Sequence, residues 1–154
     1  MELFSGFLFK GLSEEQIQRI ASAVSEMAMR KDQYLCSEYE EGNRFYILKD
    51  GAVELLSRVD EQVELPITLL KTPGDIFGAS CLVEPYQYNL SARCAETGSV
   101  LCIERGDLEK LLNQDQGMGN ILMGNLAAQL LGRLRESRQE LKIHFRTLLK
   151  SFRA

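Results

Sequence analysis

The chain has a single histidine, His144, among its 154 residues. A metal enzyme that gathers several histidines and a carboxylate around its ion cannot be built from it. Haem sensing needs axial ligands and iron–sulfur sensing needs four clustered cysteines, and neither pattern is present. The four cysteines, Cys36, Cys81, Cys94 and Cys102, form no CxxC pair, and three of them lie in apolar, strand-like text. They read as buried reduced thiols acting as small hydrophobes rather than as disulfides or ligands. No Ser-His-Asp, GxSxG, P-loop or paired-carboxylate motif occurs. The reading is therefore of a protein that is not an enzyme and carries no metal or other cofactor.

Long apolar runs are also lacking. None approaches the roughly 20 residues that span a bilayer, and Met1-Glu2-Leu3-Phe4-Ser5 has an acid where a signal peptide needs a base. No membrane contact and a cytoplasmic location are expected. Proline is missing from the whole stretch after Pro85. A helical pattern runs unbroken from about Met118 to Phe152, and Gly119, Gly124 and Gly132 each weaken it by about 1 kcal/mol relative to Ala.

What is present is a helix, a series of strands and a helical end. Ser13-Glu14-Glu15-Gln16 has the capping-box pattern, and Ile17, Ile20, Ala21 and Val24 follow at helical spacing, which predicts a helix over about 13–25. From Gln33 short strand-like runs alternate with turns. Phe45 to Leu48 and Ala52 to Val59 read as strands joined at Asp50-Gly51, a type I′ hairpin signal. Leu65 to Leu70 follows, then Ser91 to Ala95 and Val100 to Ile103 with a turn at Thr97-Gly98. Asp107 to Leu112 is a short helix. Eight or so short strands indicate a β-sandwich or jelly roll. One domain is expected over 1–154, with a β-roll over about 28–104 and a helical part over about 107–152.

The net charge of −4 is unevenly spread. From Arg133 onward seven bases stand against Glu136 and Glu140, so this tail carries +5 and the remainder −9. The simpler account is cations opposing the dipole of a long helix; the sharper is contact with an acidic partner or nucleic acid. Ala127, Leu130, Leu134, Ser137, Leu141, His144 and Leu148 recur by three and four, a moderate heptad seam. A second stripe, Ile121, Leu122, Leu126 and Leu131, is free to pack on the sandwich. Two apolar faces imply two partners, one of them a second copy of the chain.

The most informative stretch is Pro73 to Leu82, with Tyr88-Asn89-Leu90-Ser91-Ala92-Arg93 behind it. It resembles the phosphate-binding cassette of cyclic nucleotide-binding domains, and Phe45 to Val53 and Gly74 to Gly78 match further runs of that family. The resemblance covers about Phe9 to Leu141 and looks most like the Crp/Fnr group of bacterial regulators. It implies a double-stranded β-helix, or jelly roll, with an N-terminal helix and a long C-terminal helix that makes a homodimer through Ala127, Leu130, Leu134, Leu141 and Leu148. It also implies a small-molecule site at Phe77, Gly78, Ala79, Ser80, Cys81, Tyr88, Asn89 and Leu90. Ser137 and Arg138 occupy the positions from which the dimer helix reaches the nucleotide base.

Three departures shape the functional expectation. The glutamate that holds the ribose in the family is Ala79, and the arginine that neutralises the cyclic phosphate is Tyr88. The loop after Gly42 is shorter than usual. The helix-turn-helix that follows the long helix in Crp/Fnr regulators has no counterpart before Ala154. The expectation is a regulatory or sensor module of this type, doubtful as a receptor for cyclic AMP or cyclic GMP, with no DNA-binding motif of its own in this chain. Two alternatives stand beside it, a ligand-free dimerisation scaffold and the effector domain of a transcription regulator whose DNA-reading part is not in this chain.

Overall fold

The computed structural model describes residues 2–153. Two short 3-10 turns, Glu2–Phe4 and Phe7–Phe9, lead into helix α1 over Glu14–Ala23. The helix starts where its first residues dictate. The Ser13 Oγ accepts from the Gln16 amide at 3.2 Å, and the Ser13 amide donates to Gln16 Oε1 at 2.9 Å, so both halves of the capping box form. Six strands follow: β1 (Ser25–Met29), β2 (Tyr34–Cys36), β3 (Arg44–Arg58), β4 (Glu64–Leu70), β5 (Ile76–Phe77) and β6 (Ser91–Glu104). Helix α2 spans Arg105–Gln114 and helix α3 spans Gln116–Arg153.

Every strand pairing is antiparallel. The order is β1-β6-β3-β4, with β2 also on β6 and β5 on β3. The two long strands β3 and β6 run against each other from Arg44↔Glu104 to Leu56↔Ser91 and wrap one apolar core. Phe45, Ile47, Leu48, Val53, Cys94 and Val100 fill it. This is the expected jelly roll, with fewer and longer strands than the eight or so anticipated.

Two turn assignments are corrected. Asp50-Gly51 is not a hairpin, and Thr97-Gly98 is not a turn between separate strands. Both pairs lie inside continuous strands, where the β3–β6 register shifts between Leu48, Asp50, Ala52 and Val53. Gly51 takes φ +89°, and Gly98 faces the Asp50 carbonyl. The positive φ that reads as a reversal is used to bend two paired strands at one crossing. A third correction concerns Ser25–Met29. This stretch pairs with β6 directly after α1, whereas the sequence placed the first strand near Gln33 and the roll from about 28.

Helix α3 runs 38 residues without a break, its three interior glycines notwithstanding. Its first turns are tied to the roll. Met118, Leu122 and Leu126 are buried, and Asn125 Nδ2 donates to the Leu8 and Lys10 carbonyls at 2.9 and 2.8 Å. Beyond Leu126 no residue of the helix is buried. Leu131, assigned by its stripe to packing on the roll, is exposed. Leu130, Leu134, Leu141, Ile143, Phe145, Leu148 and Phe152 present a long uncovered apolar surface. Among the described residues no helix is long and apolar enough to cross a membrane.

Candidate functional site

Strand β5 delivers the chain to the site. Phe77 pairs with Tyr46 of β3, and their rings stack with centroids 4.8 Å apart. Gly78 then adopts φ +77°, ψ +13° and opens a 3-10 turn over Ala79–Leu82. A Cβ at Gly78 would meet the Arg44 carbonyl oxygen at 3.0 Å and the Tyr46 and Tyr88 rings at 3.3 Å. Gly78 is thus required by the left-handed backbone and by close packing, whether or not a ligand is bound.

Between this turn, the Tyr88 segment and α3 lies a cavity of about 300 Å³. Phe77, Gly78, Ala79 and Ser80 border it on one side, and Tyr88, Asn89 and Leu90 on another. Seven of the ten residues assigned to the site therefore meet in one place. Three do not. Cys81 is fully buried and lies against Gly42, because successive residues of a 3-10 turn point in different directions. Ser137 and Arg138 are exposed on α3, beyond the last helix residue at the cavity, Arg133. Leu130, expected on the dimer seam, also borders the cavity while remaining exposed. Ala127, Leu134, Leu141 and Leu148 are exposed.

The helix wall consists of Leu126, Gln129, Leu130 and Arg133. Gln129 and Arg133 were missed from sequence. The stripe Met118, Leu122, Leu126 carries a period that continues through 129, 130 and 133, and this was the signal that could have found them.

The interior is uncharged. Tyr88 is buried, and its hydroxyl is fully engaged by the start of β3. It donates to the Arg44 carbonyl at 2.9 Å and accepts from the Arg44 and Asn43 amides at 2.9 and 3.2 Å. Burial raises its phenol pKa. Burial likewise pushes the Cys36 thiol up to about 12 and the Cys81 thiol up to about 11, so both are protonated at neutral pH. Ser80 Oγ accepts from the Asn89 amide at 3.2 Å. Gln129 Oε1 is sealed from solvent and has no hydrogen-bond partner.

Charge appears only at the rim, as Arg133 from α3 and Glu84 from the Val83–Gln87 loop. Neither is in an ion pair among the described residues. Arg93, the arginine next in sequence after Tyr88, does not border the cavity; it pairs with Glu54 at 2.9 Å. Arg105 is held over the Tyr86 ring at 4.9 Å and donates to the Gly42 carbonyl at 3.2 Å.

This geometry is shared with known proteins. The cyclic nucleotide-binding domain profile matches residues 26–115, more than half of the chain. The chain belongs to the cyclic nucleotide-binding domain family. It is 27% identical over 136 residues to the cyclic AMP receptor protein of Thermus thermophilus, covering 88% of this chain and 61% of that protein. It is 25% identical over 104 residues to the anaerobic regulatory protein of Bacillus subtilis, covering 68% and 44%. The chain thus spans about half the length of these relatives. Among solved structures, it superposes on a Geobacter metallireducens putative cyclic nucleotide-binding protein with a TM-score of 0.70 at 31% identity, covering 82% of this chain and 91% of that one. The Thermus thermophilus catabolite activator protein gives 0.75 at 27% identity, covering 90% and 62%. The family is mainly regulatory and includes Crp/Fnr-type regulators. This chain keeps the roll and the cassette backbone, with Ala79 and Tyr88 at the two positions that the resemblance assigns to ligand contact.

Proposed function

We propose that this domain is a non-enzymatic regulatory module in which a small molecule occupies the cassette cavity and its presence is passed to α3. The observation that carries the reading is the cavity wall itself. Leu126, Gln129, Leu130 and Arg133 all belong to the helix whose outer two-thirds is uncovered. A guest would touch that helix directly, with no intervening element. The alternative of a ligand-free scaffold requires Phe77, Tyr88 and Leu90 to fill the space, and about 300 Å³ remains between them and the helix.

Cyclic AMP and cyclic GMP fit poorly. Each carries a phosphate anion, and an anion taken out of water needs a charged partner. A bidentate arginine supplies that in one step; the Tyr88 hydroxyl is neutral and already spent on Asn43 and Arg44. Arg133 lies at the exposed rim, where screening leaves a single charge contact with about 1 kcal/mol or less. Calorimetry with either nucleotide is expected to show no binding at the micromolar level. A dissociation constant below about 1 μM, which corresponds to more than 8 kcal/mol, would overturn this part of the reading.

The effector for the signal is a second copy of the chain, joined along α3. Exposed leucines at 130, 134, 141 and 148 recur every four or seven residues on one side of the helix. Leu134→Asp with Leu141→Asp is expected to halve the mass seen by analytical ultracentrifugation while leaving the circular dichroism of the roll unchanged. A wild-type chain that stays monomeric at tens of micromolar would refute the dimer. A regulator with a DNA-reading part elsewhere in its gene would use the same module in the same way.

A further inference from the structure

The polar groups around the cavity are of two kinds, the neutral side chains of Ser80, Gln87, Tyr88 and Asn89, which do not select by charge, and three others that do. The deep wall is apolar, from Leu55, Ile76, Phe77, Leu90 and Leu126. One cation and one anion stand at the rim, Arg133 and Glu84, and neither has an ion-pair partner among the described residues. One turn before Arg133, the Gln129 side chain borders the cavity with its carbonyl oxygen buried and unsatisfied. An unpaired buried acceptor is costly to keep. The oxygen is sealed from the cavity as well as from solvent, and because the terminal torsion of an amide side chain is broad, a guest that brings an N–H would meet it through a rotation of that torsion.

These groups exclude guests by charge type. A monoanion gains Arg133 and is repelled by Glu84. A monocation gains Glu84 and is repelled by Arg133. A neutral apolar molecule uses neither and leaves the Gln129 oxygen unpaired. Of the four kinds of guest compared, a zwitterion with an apolar tail is the one that has a partner for all three. Gln129 and Arg133 are four residues apart, so they stand about 5–6 Å apart on one helix face, close enough to serve one head group. A volume of about 300 Å³ is at the small end for ligand sites and suits a molecule of amino-acid size.

We infer that the cavity binds an α-amino acid with a large apolar side chain. Its tail packs against Phe77 and Leu126, its carboxylate lies at Arg133, and its ammonium donates to Gln129 Oε1 and Glu84. The inference rests on the proposed role of the cavity as a small-molecule site.

The test is calorimetry and saturation-transfer NMR on the full chain with L-phenylalanine and L-leucine. Three comparison compounds separate the contributions: 3-phenylpropionate lacks the ammonium, phenethylamine lacks the carboxylate, and indole lacks both. The amino acids are expected to bind about tenfold more tightly than either truncated analogue, since each rim charge contributes modestly at an exposed site. Arg133→Leu is expected to remove the advantage over phenethylamine, and Glu84→Gln with Gln129→Leu the advantage over 3-phenylpropionate. All three positions are outside the core, so the variants keep their fold. Equal binding by 3-phenylpropionate or phenethylamine, or binding by indole alone, sinks the amino-acid inference and leaves the cavity as a ligand site. Silence from all five compounds sinks both.

Discussion

Gly98→Ala is expected to be the most destabilising single methyl addition in the roll, at about 4 kcal/mol or more. A Cβ at this position would lie 2.1 Å from the Asp50 carbonyl oxygen, 2.4 Å from its carbon and 2.7 Å from the Gly51 nitrogen. All three are backbone atoms, so no side chain can rotate away. Relief requires β3 and β6 to separate where they carry the central pairing of the roll, between Leu48↔Val100 and Ala52↔Glu96. Overpacking against side chains typically costs about 1–3 kcal/mol. Prying apart two backbones and their ladder hydrogen bonds costs more, about 4 kcal/mol or beyond, out of a total stability of about 5–15. Gly124→Ala is the matched control. Nothing lies within 4 Å of its built Cβ, and it sits inside α3. The helix gains about 0.5–1 kcal/mol from the added methyl group. Urea unfolding of the soluble fraction should place the two variants on opposite sides of wild type. A Gly98→Ala chain with wild-type stability would mean that β3 and β6 do not cross as closely as described.

The same crossing explains what the sequence concealed. The Ser13–Gln16 capping box was readable because all its partners lie within four residues. Asp50-Gly51 was also recognised as a site of positive φ, and Gly51 has it. Whether such a residue reverses the chain or bends it depends on what lies opposite. Here that is Gly98, 47 positions away in sequence. A dipeptide signal carries no information at that range. The strand Ser25–Met29 was hidden for a related reason. Its residues are mostly exposed or half-exposed, with only Met29 buried, so the alternation that marks a strand is weak.

At the site, the cassette was legible as a contiguous motif and the helix wall was not. Phe77 to Ser80 and Tyr88 to Leu90 meet because β5, the 3-10 turn and the head of β6 bring them together. Heptad spacing selected Leu130 for an outer seam, and the resemblance assigned the positions that reach the nucleotide base to Ser137 and Arg138. The register is set instead by where α3 is anchored, through Met118, Leu122 and Asn125. That anchoring puts 126, 129, 130 and 133 over the cavity of their own chain, about one to three turns before Ser137 and Arg138.

The anchoring of Tyr88 has the second large expected consequence. Its replacement of the family's arginine reads in sequence as a loss, one cation fewer in a pocket. In the structure the phenol has taken a different job. Its hydroxyl satisfies three backbone groups at the start of β3, the Asn43 and Arg44 amides and the Arg44 carbonyl. Tyr88→Phe keeps the ring and removes only that oxygen. Leaving backbone groups unpaired costs at most about 1–3 kcal/mol each where water does not replace the partner, and less at these part-buried positions. The shortfall here is expected to be about 2–3 kcal/mol in all, a drop of about 5–10 °C in Tm for a chain of this length. Tyr88→Arg with Ala79→Glu, which restores the family's two ligand contacts on paper, should then fail as a rescue. The guanidinium offers donors only, so the Asn43 and Arg44 amides lose their acceptor, and the variant should be less stable than Tyr88→Phe while gaining no micromolar affinity for cyclic AMP. Denaturant melts of the variants, with calorimetry of the double variant, decide the matter. A double variant that is both stable and nucleotide-binding would show that position 88 is still an open seat for a ligand contact. A destabilised, non-binding one would establish that the old phosphate site has become a strut holding the roll to its cassette.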